Sequence, residues 1–127
     1  MISIRELIVE YGARLGVLRK PDLVVMDVAE SPDEEELRPG VLFREVRGGF
    51  EKWAHFSCPR CHEHIQLPLG GARCWSLRVD WLRRPTLHPS VWQTGSCGAH
   101  FFVTRGILVW VPDTHDQALR QGVNYRV

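Results

Sequence analysis

The sequence predicts a small, mainly β protein of the α+β class, with an antiparallel sheet organised around a zinc-ribbon-like site and a short N-terminal helix. Three observations support this fold class. Short runs of β-branched and aromatic residues, separated by glycine and proline, fill most of the chain. The clearest helical periodicity lies near the start. The pair Cys58 and Cys61 is followed downstream by Cys97 and His100. Three thiolates and one imidazole are a ligand set typical of tetrahedral zinc.

The length of 127 residues suits one domain. Within it we expect an N-terminal helix region over residues 1–20, a zinc-stabilised β core over residues 40–112 and a polar tail over residues 113–127. Hydrophobic residues make up 44% and charged residues 24%, which is ordinary for a soluble globular protein. A net charge of +1 gives no general attraction to nucleic acid, so a nucleic-acid partner is not expected from charge.

The cellular compartment is predicted from the start of the chain and from its apolar runs. The first residues show no apolar segment with a cleavage pattern, and no apolar run reaches the length that a bilayer requires. We therefore expect a cytoplasmic protein without a membrane partner. In that reducing compartment a Cys-x-x-Cys pair is more often metal-binding than disulfide-bonded.

The first predicted elements are a helix, a strand and a single helical turn. The helix covers residues 4–15 and ends at Gly16, and the strand covers residues 23–28. Ser31 is expected to cap a turn over residues 31–36, because a proline and four acidic residues follow it. The apolar face of the helix is formed by Leu7, Ile8, Tyr11 and Leu15.

From residue 41 onwards the pattern is β throughout. The stretch 75–81 alternates most clearly between apolar and polar residues. The stretch 86–92 carries two prolines and is therefore expected at a sheet edge or in an irregular segment. One helical turn is expected in the tail, near residues 117–120. The predicted strands are residues 41–46, 53–57, 65–69, 75–81, 86–92, 101–104 and 107–111.

The cysteines and one histidine predict a structural zinc ion. Cys58 and Cys61 lie on one tight turn, and Cys97 and His100 lie on another, so two turns meeting in space would complete a tetrahedral site. Four protein ligands leave no open position for water, which indicates a structural rather than a catalytic role. Cys74 competes for the fourth place, but it begins the alternating strand and is expected to be a buried core thiol.

Ser90 is a candidate nucleophile, because Pro85 and Pro89 fix the backbone that leads to it. A nucleophilic serine needs a base. His88 lies too close along the strand to offer good geometry, and His100 is assigned to zinc. His55 lies on the strand that leads into Cys58, so it is the preferred base. No Gly-x-Ser-x-Gly elbow or other local serine-hydrolase motif is present.

Several segments, taken in order, resemble a small bacterial family found in ubiquitination-like (Bub-type) operons beside E1, E2 and ubiquitin-like proteins. The most specific are Thr86-Leu87-His88-Pro89-Ser90 and Cys97-Gly98-Ala99-His100-Phe101. The others are residues 37–43, His55 ahead of the cysteines, residues 75–77 and residues 106–110.

The resemblance implies a deubiquitinase-like serine peptidase that processes the C-terminus of a ubiquitin-like protein, with E1-like and E2-like proteins as possible further partners. By position it implies Ser90 as nucleophile and His55 as base. No acid that would orient His55 is evident, and Asp80 is the candidate for that role. It also implies zinc on Cys58, Cys61, Cys97 and His100. A second assignment stays open, in which His100 is the base and Cys74 is the fourth ligand.

Two hypotheses without catalysis also remain. The chain would be a zinc-ribbon module that binds protein or nucleic acid through its arginines and tryptophans. Alternatively, it would be a structural partner of a larger enzyme that uses residues 86–92 for strand addition.

Overall fold

The computed structural model describes residues 3–14 and 19–112. In these two stretches the chain forms one α-helix, one short 3₁₀ turn and eight β-strands. The helix, α1, spans Ile4–Arg14. Its first turn is closed by a reciprocal pair of bonds, in which the Ser3 N–H donates to the Glu6 carboxylate and the Glu6 N–H donates to the Ser3 hydroxyl.

The first sheet contains β1 (Val24–Val28), β2 (Val41–Arg47), β3 (Phe50–Ser57) and β4 (His64–Pro68), in that spatial order. We call it sheet A. The pair β1–β2 is parallel, and the other two pairs are antiparallel. A parallel pair needs a crossover, and the segment that contains the 3₁₀ turn Glu34–Glu36 supplies it.

The second sheet contains β5 (Ser76–Val79), β6 (Pro85–Trp92), β7 (His100–Thr104) and β8 (Ile107–Trp110). We call it sheet B. All of its pairs are antiparallel, so it is a meander in which each strand pairs with the next along the chain.

One hydrophobic core is formed from both sheets. Leu42, Ala54 and Phe56 of sheet A belong to the same buried cluster as Phe101 and Val103 of sheet B. The rings of Phe56 and Phe101 meet edge to face, with their centroids 6.3 Å apart. The inner faces of the two sheets therefore pack against each other.

Gly106 joins the two sheets through the backbone. Its carbonyl accepts hydrogen bonds from the N–H groups of Asp22 and Leu23, just before β1, and its N–H donates to the Pro85 carbonyl. Val25 of β1 also donates its N–H to the Arg83 carbonyl, in the turn before β6. The tip of the β7–β8 hairpin is thus tied to the start of sheet A.

The mainly β prediction with a short helix is confirmed, but the single antiparallel sheet is wrong. The strands divide between two sheets, and one pair is parallel. Residues 86–92 were expected at an edge or in an irregular segment. The edge position is wrong, because β6 pairs with β5 on one side and with β7 on the other, whereas the irregularity is confirmed by the register shift between Leu87 and Val91. Its prolines fit because Pro85 begins the strand and Pro89 lies beyond the last residue paired with β5.

Smaller differences concern single residues. Asp33 rather than Ser31 caps the 3₁₀ turn. Cys74 is exposed rather than buried. The predicted apolar face of the helix is largely open to solvent, since Leu7 is 45% and Tyr11 is 64% exposed. The helix end at Gly16 and the turn near residues 117–120 lie outside the described residues.

Gly106 provides a test of the link between the sheets. It has a φ of +77°, and a Cβ at this position would lie 2.7 Å from both the Leu23 carbonyl oxygen and the Pro21 Cβ. We expect Gly106→Ala to lower the free energy of unfolding by at least about 2 kcal/mol, through backbone strain and the clash together. Denaturant unfolding measures this change.

The matched control is Gly49→Ala. Gly49 has a φ of +80° but nothing within 4 Å of the added Cβ, so its variant isolates the backbone cost of roughly 1 kcal/mol. Equal losses in the two variants would contradict the close approach of Gly106 to sheet A.

Candidate active site and metal centre

The backbone around Ser90 departs from regular pairing. Leu87 pairs with Val103 and Val91 pairs with Phe101, so three residues of β6 stand opposite the single residue Phe102 of β7. Such a bulge bends a strand and redirects its side chains. Here the bulge contains Ser90, together with a cis His88–Pro89 peptide bond.

Ser90 meets His100 across the two strands. The Ser90 Oγ lies 2.8 Å from the His100 Nε2, and His100 is the first residue of β7. In the tautomer that carries its proton on Nδ1, Nε2 accepts the hydroxyl proton. This is the arrangement of a serine nucleophile and a general base.

The backbone of Ser90 is held as well. The Trp75 Nε1 donates a hydrogen bond to the Ser90 carbonyl oxygen at 3.3 Å. Trp75 directly precedes β5, which pairs with β6 only as far as His88. The indole therefore takes over from the β5 ladder at the bulge, where regular pairing on that side has ended.

Aromatic side chains surround the His100 imidazole. The ring of Trp92 stacks on it almost in parallel, at a centroid distance of 4.6 Å and an interplanar angle of 5°. Phe102 makes a second ring contact at 6.4 Å. Burial lowers the pKa of His100, because desolvation disfavours the charged imidazolium. Its Nδ1 is buried and has no hydrogen-bond partner among residues 3–14 and 19–112.

The predicted pairing of Ser90 with His55 is not formed. His55 is fully buried, and both of its ring nitrogens are engaged: Nε2 lies 3.0 Å from a Glu45 oxygen and Nδ1 lies 2.9 Å from the His64 Nε2. Consecutive residues of a strand face opposite sides of the sheet. Since Phe56 faces the core shared with sheet B, its neighbour His55 faces away from Ser90.

Glu45 is the charged centre of this second cluster. It is fully buried and accepts hydrogen bonds from the Ser31 hydroxyl at 2.6 Å and from Arg47 at 2.6 Å. Burial by itself raises the pKa of Glu45, but the hydrogen bonds from Ser31 and His55 and the charge of Arg47 outweigh it and bring the pKa below its usual value. The cluster therefore fastens the β1–β2 crossover onto sheet A.

Asp80 was the candidate for the orienting acid, but the structure gives it another role. One Asp80 oxygen accepts the backbone N–H groups of Leu82 and Arg84, and the other accepts the Arg84 Nε at 2.6 Å. The carboxylate thus closes the turn between β5 and β6. An Asp or Asn in a turn commonly binds the backbone in this way.

Three of the four predicted metal ligands come together. The sulfur atoms of Cys58, Cys61 and Cys97 all lie within 4.8 Å of one another. The Sγ atoms of Cys58 and Cys97 are 3.7 Å apart, too far for a disulfide. This distance matches the edge of roughly 3.8 Å that a tetrahedron with metal–sulfur bonds of about 2.3 Å requires. The three cysteines therefore fit a metal ion.

The local backbone also suits thiolates. The N–H groups of Arg60 and Cys61 point at the Cys58 sulfur, although burial is the larger effect and raises the pKa of that thiol. The Glu63 N–H points at the Cys61 sulfur and lowers its pKa, because it stabilises the charged form. A metal ion would supply the positive charge that a buried thiolate cluster lacks.

The fourth predicted ligand, His100, does not join the cysteines. Its Nε2 faces Ser90, and within the described part of the chain the cluster consists of the three cysteines alone. The alternative ligand Cys74 is exposed and outside the cluster. Near Cys61 lies the hydroxyl of Ser96, at 3.7 Å, which donates to Glu63.

The chain matches the family described as "BubE: Bacterial ubiquitination-like system serine protease" over residues 28–111. It belongs to this family. The matched region includes both the Ser90–His100 pair and the three cysteines of the BubE chain. Comparison with curated proteins and with solved structures gives no match. In the described part of this BubE chain no helix has the length and apolar character that crossing a membrane needs.

Sequence reasoning about this BubE chain missed two features. The bulge depends on how β6 pairs with β7, which no local pattern reveals. The stack of Trp92 on His100 was missed because Trp92 was grouped with the other tryptophans as core or binding surface. The one signal available was that Trp92 ends the predicted strand 86–92 and His100 directly precedes the predicted strand 101–104, with the turn that carries Cys97 between them.

The metal centre predicts a loss of stability on metal removal. We expect a strong chelator, or Cys97→Ser, to lower the melting temperature of the BubE chain by about 10 °C or more. The reason is that a metal ion which binds the folded state, and not the unfolded state, stabilises the folded state. Differential scanning fluorimetry measures this change, and elemental analysis gives the metal content.

Cys74→Ser is the matched control, since Cys74 is exposed and lies outside the cluster. It should leave both metal content and melting temperature unchanged. A chelator that leaves the parent's melting temperature unchanged, in protein shown to carry metal, would contradict the stabilising role.

Proposed function

We propose that the chain is a serine peptidase that processes the C-terminal end of a bacterial ubiquitin-like protein, with Ser90 as the nucleophile and His100 as its general base. The observation that carries this proposal is the 2.8 Å contact between the Ser90 Oγ and the His100 Nε2. The family description names a serine protease of a bacterial ubiquitination-like system, which agrees with this chemistry.

The reaction would follow the acyl-enzyme route. The Ser90 Oγ forms a bond to the scissile carbonyl carbon while its proton passes to the His100 Nε2. His100 then gives this proton to the leaving amine as the carbon–nitrogen bond breaks. Water attacks the acyl-enzyme in the second half, with His100 again accepting and returning the proton.

An extended tail is the substrate geometry that fits this site. Ser90 and His100 are only partly buried, and the next residues on the same side of β7 and β8 are open to solvent. Phe102 is 41% and Val109 is 48% exposed. A flexible C-terminal segment can lie across such an open sheet face, whereas a folded loop would need a deeper cleft.

E1-like and E2-like proteins of the same system are the further partners that we propose. A cytoplasmic location is likewise part of the proposal.

We further propose that the metal is zinc, held by Cys58, Cys61 and Cys97. Its proposed role is structural because of where Cys97 lies, and not because four protein ligands close the site, since three ligands meet among the described residues. Thiolates favour zinc among the common divalent ions. Cys97 lies three residues before His100, and the Gln93 carbonyl accepts the N–H groups of Ser96 and Gly98 in the same turn. Holding Cys97 in place therefore also holds the start of β7, where the base is found.

Substitution of the reacting pair provides the central test. Ser90→Ala should abolish labelling by a fluorophosphonate probe and cleavage of a ubiquitin-like precursor. His100→Gln should lower the labelling rate by at least about 100-fold, the usual contribution of a general base. Mass spectrometry of the labelled peptide and gel assays of cleavage give the readouts.

The control is His88→Gln, because His88 is exposed and lies on the same strand as Ser90. Its labelling rate should equal that of the parent. If Ser90→Ala still cleaves the precursor at the parent rate, the proposed nucleophile is wrong. If the metal-bound parent neither labels nor cleaves, a binding module without catalysis is the better account.

The pH profile follows from the state of His100. Only the neutral imidazole can accept the Ser90 proton, and burial brings its pKa below the ordinary value of 6.5. We therefore expect the midpoint of the acidic fall in labelling rate to lie below pH 6.5, so that the rate at pH 6.5 already exceeds half of its maximum. Stopped-time labelling across the pH range measures this. A midpoint at or above pH 6.5 would contradict the lowered pKa.

A further inference from the structure

Among residues 3–14 and 19–112, the proposed base has no carboxylate partner of the kind that serine peptidases usually provide. In a Ser-His-Asp triad a carboxylate binds the second ring nitrogen, fixes the tautomer and stabilises the imidazolium that forms. The His100 Nδ1 is buried and has no partner in residues 3–14 and 19–112. Glu45 binds His55 instead, and the candidate acid Asp80 closes a turn.

Trp92 makes the closest ring contact to this imidazole. It pairs directly with His100 across the β6–β7 ladder, and the two rings stack at 4.6 Å with an angle of only 5° between their planes. A parallel stack restrains rotation of the imidazole about its χ2 torsion, which is otherwise broad. Rotation is what would carry the Nε2 away from the Ser90 Oγ.

We infer that Trp92 is a positioning residue for the general base, and that its indole face takes over two tasks of a triad carboxylate, the orientation of the ring and the stabilisation of the imidazolium, without binding Nδ1. The stack keeps the Nε2 directed at Ser90. It also stabilises the imidazolium once His100 has taken the serine proton, because the π face of tryptophan attracts a cation more strongly than that of the other aromatic side chains. The catalytic consequence rests on the proposed function, whereas the stack itself does not.

The kinetic test compares two substitutions at one position. Trp92→Leu removes the π face and should lower the fluorophosphonate labelling rate at Ser90 about tenfold, the effect expected from a partly desolvated cation–π contact. Trp92→Phe keeps an aromatic face and should stay within about threefold of the parent. With a ubiquitin-like precursor, the loss in Trp92→Leu should fall on kcat rather than on KM.

The matched control is Trp81→Leu. Trp81 is 58% exposed, and its ring contact is with Arg5 of α1, so it lies outside the reacting pair. Its labelling rate should equal that of the parent. A purely structural role for Trp92 would lower the melting temperature of Trp92→Leu and Trp92→Phe alike, with no recovery of kcat in the phenylalanine variant.

A second measurement preserves the shape of the side chain. Replacement of all tryptophans by a fluorinated tryptophan weakens the attraction of the indole face for a cation and leaves packing nearly unchanged. Fluorination should slow the labelling of the parent. It should leave the labelling rate of Trp92→Phe equal to that of the same variant with ordinary tryptophan. This arm does not depend on the folding of Trp92→Leu, and equal slowing in both proteins would overturn the inference.

The imidazole itself gives a readout that does not need activity. Nitrogen-15 resonances of His100, assigned with His100→Gln, should show the tautomer protonated at Nδ1 in the parent and in Trp92→Phe, and a mixture in Trp92→Leu. If the parent does not label but this pattern is found, the proposed function fails and the positioning role stands. If Trp92→Leu matches the parent in both tautomer and labelling rate, the positioning role is wrong.

Discussion

Gln93 closes the connection between β6 and β7, and the site is built around this closure. Its carbonyl accepts the N–H groups of Ser96 and Gly98, and its own N–H donates to the Ala99 carbonyl. The turn that results is compact enough to place Cys97 in the metal cluster and His100 at the start of β7. The positions of Cys97 and His100 therefore both depend on where this turn ends.

The same hairpin carries the proposed nucleophile and base on its outer face. Ser90 lies in the bulge of β6, and His100 lies across from it at the start of β7. Trp92, which follows Ser90 by two residues and is nearer the turn, stacks on the His100 imidazole. The register shift places two extra residues of β6 opposite Phe102, and within this bulge the Ser90 hydroxyl lies 2.8 Å from the His100 imidazole. No local motif in the sequence marks this contact.

Local patterns were enough to predict the elements of the fold. Residues 41–46, 65–69 and 107–111 were predicted as strands, and the structure has β2, β4 and β8 at these places within one or two residues. Alternation does not say which strands share a sheet, so the division into two sheets was missed. The parallel pair β1–β2 was missed for the same reason, since a crossover without a long helix leaves little trace in the sequence.

The site was predicted in part, and its errors have physical causes. The cysteine spacing correctly brought Cys58, Cys61 and Cys97 together. His100 was assigned to the metal because a histidine at that spacing suits zinc, yet its side chain points to Ser90. His55 was chosen as the base from its place along the chain. The alternation of side chains across β3 then puts it on the opposite face from the core, where Glu45 binds it.

The three cysteines also have a mechanical consequence. Cys58 and Cys61 belong to the β3–β4 turn of sheet A, and Cys97 belongs to the β6–β7 turn of sheet B. At the other end of β7, Gly106 bonds to the backbone before β1. A metal in the cluster would therefore connect the two sheets at one end of β7, as the Gly106 backbone hydrogen bonds do at the other. These two connections would resist sliding of one sheet over the other, and the Ser90–His100 contact lies between them.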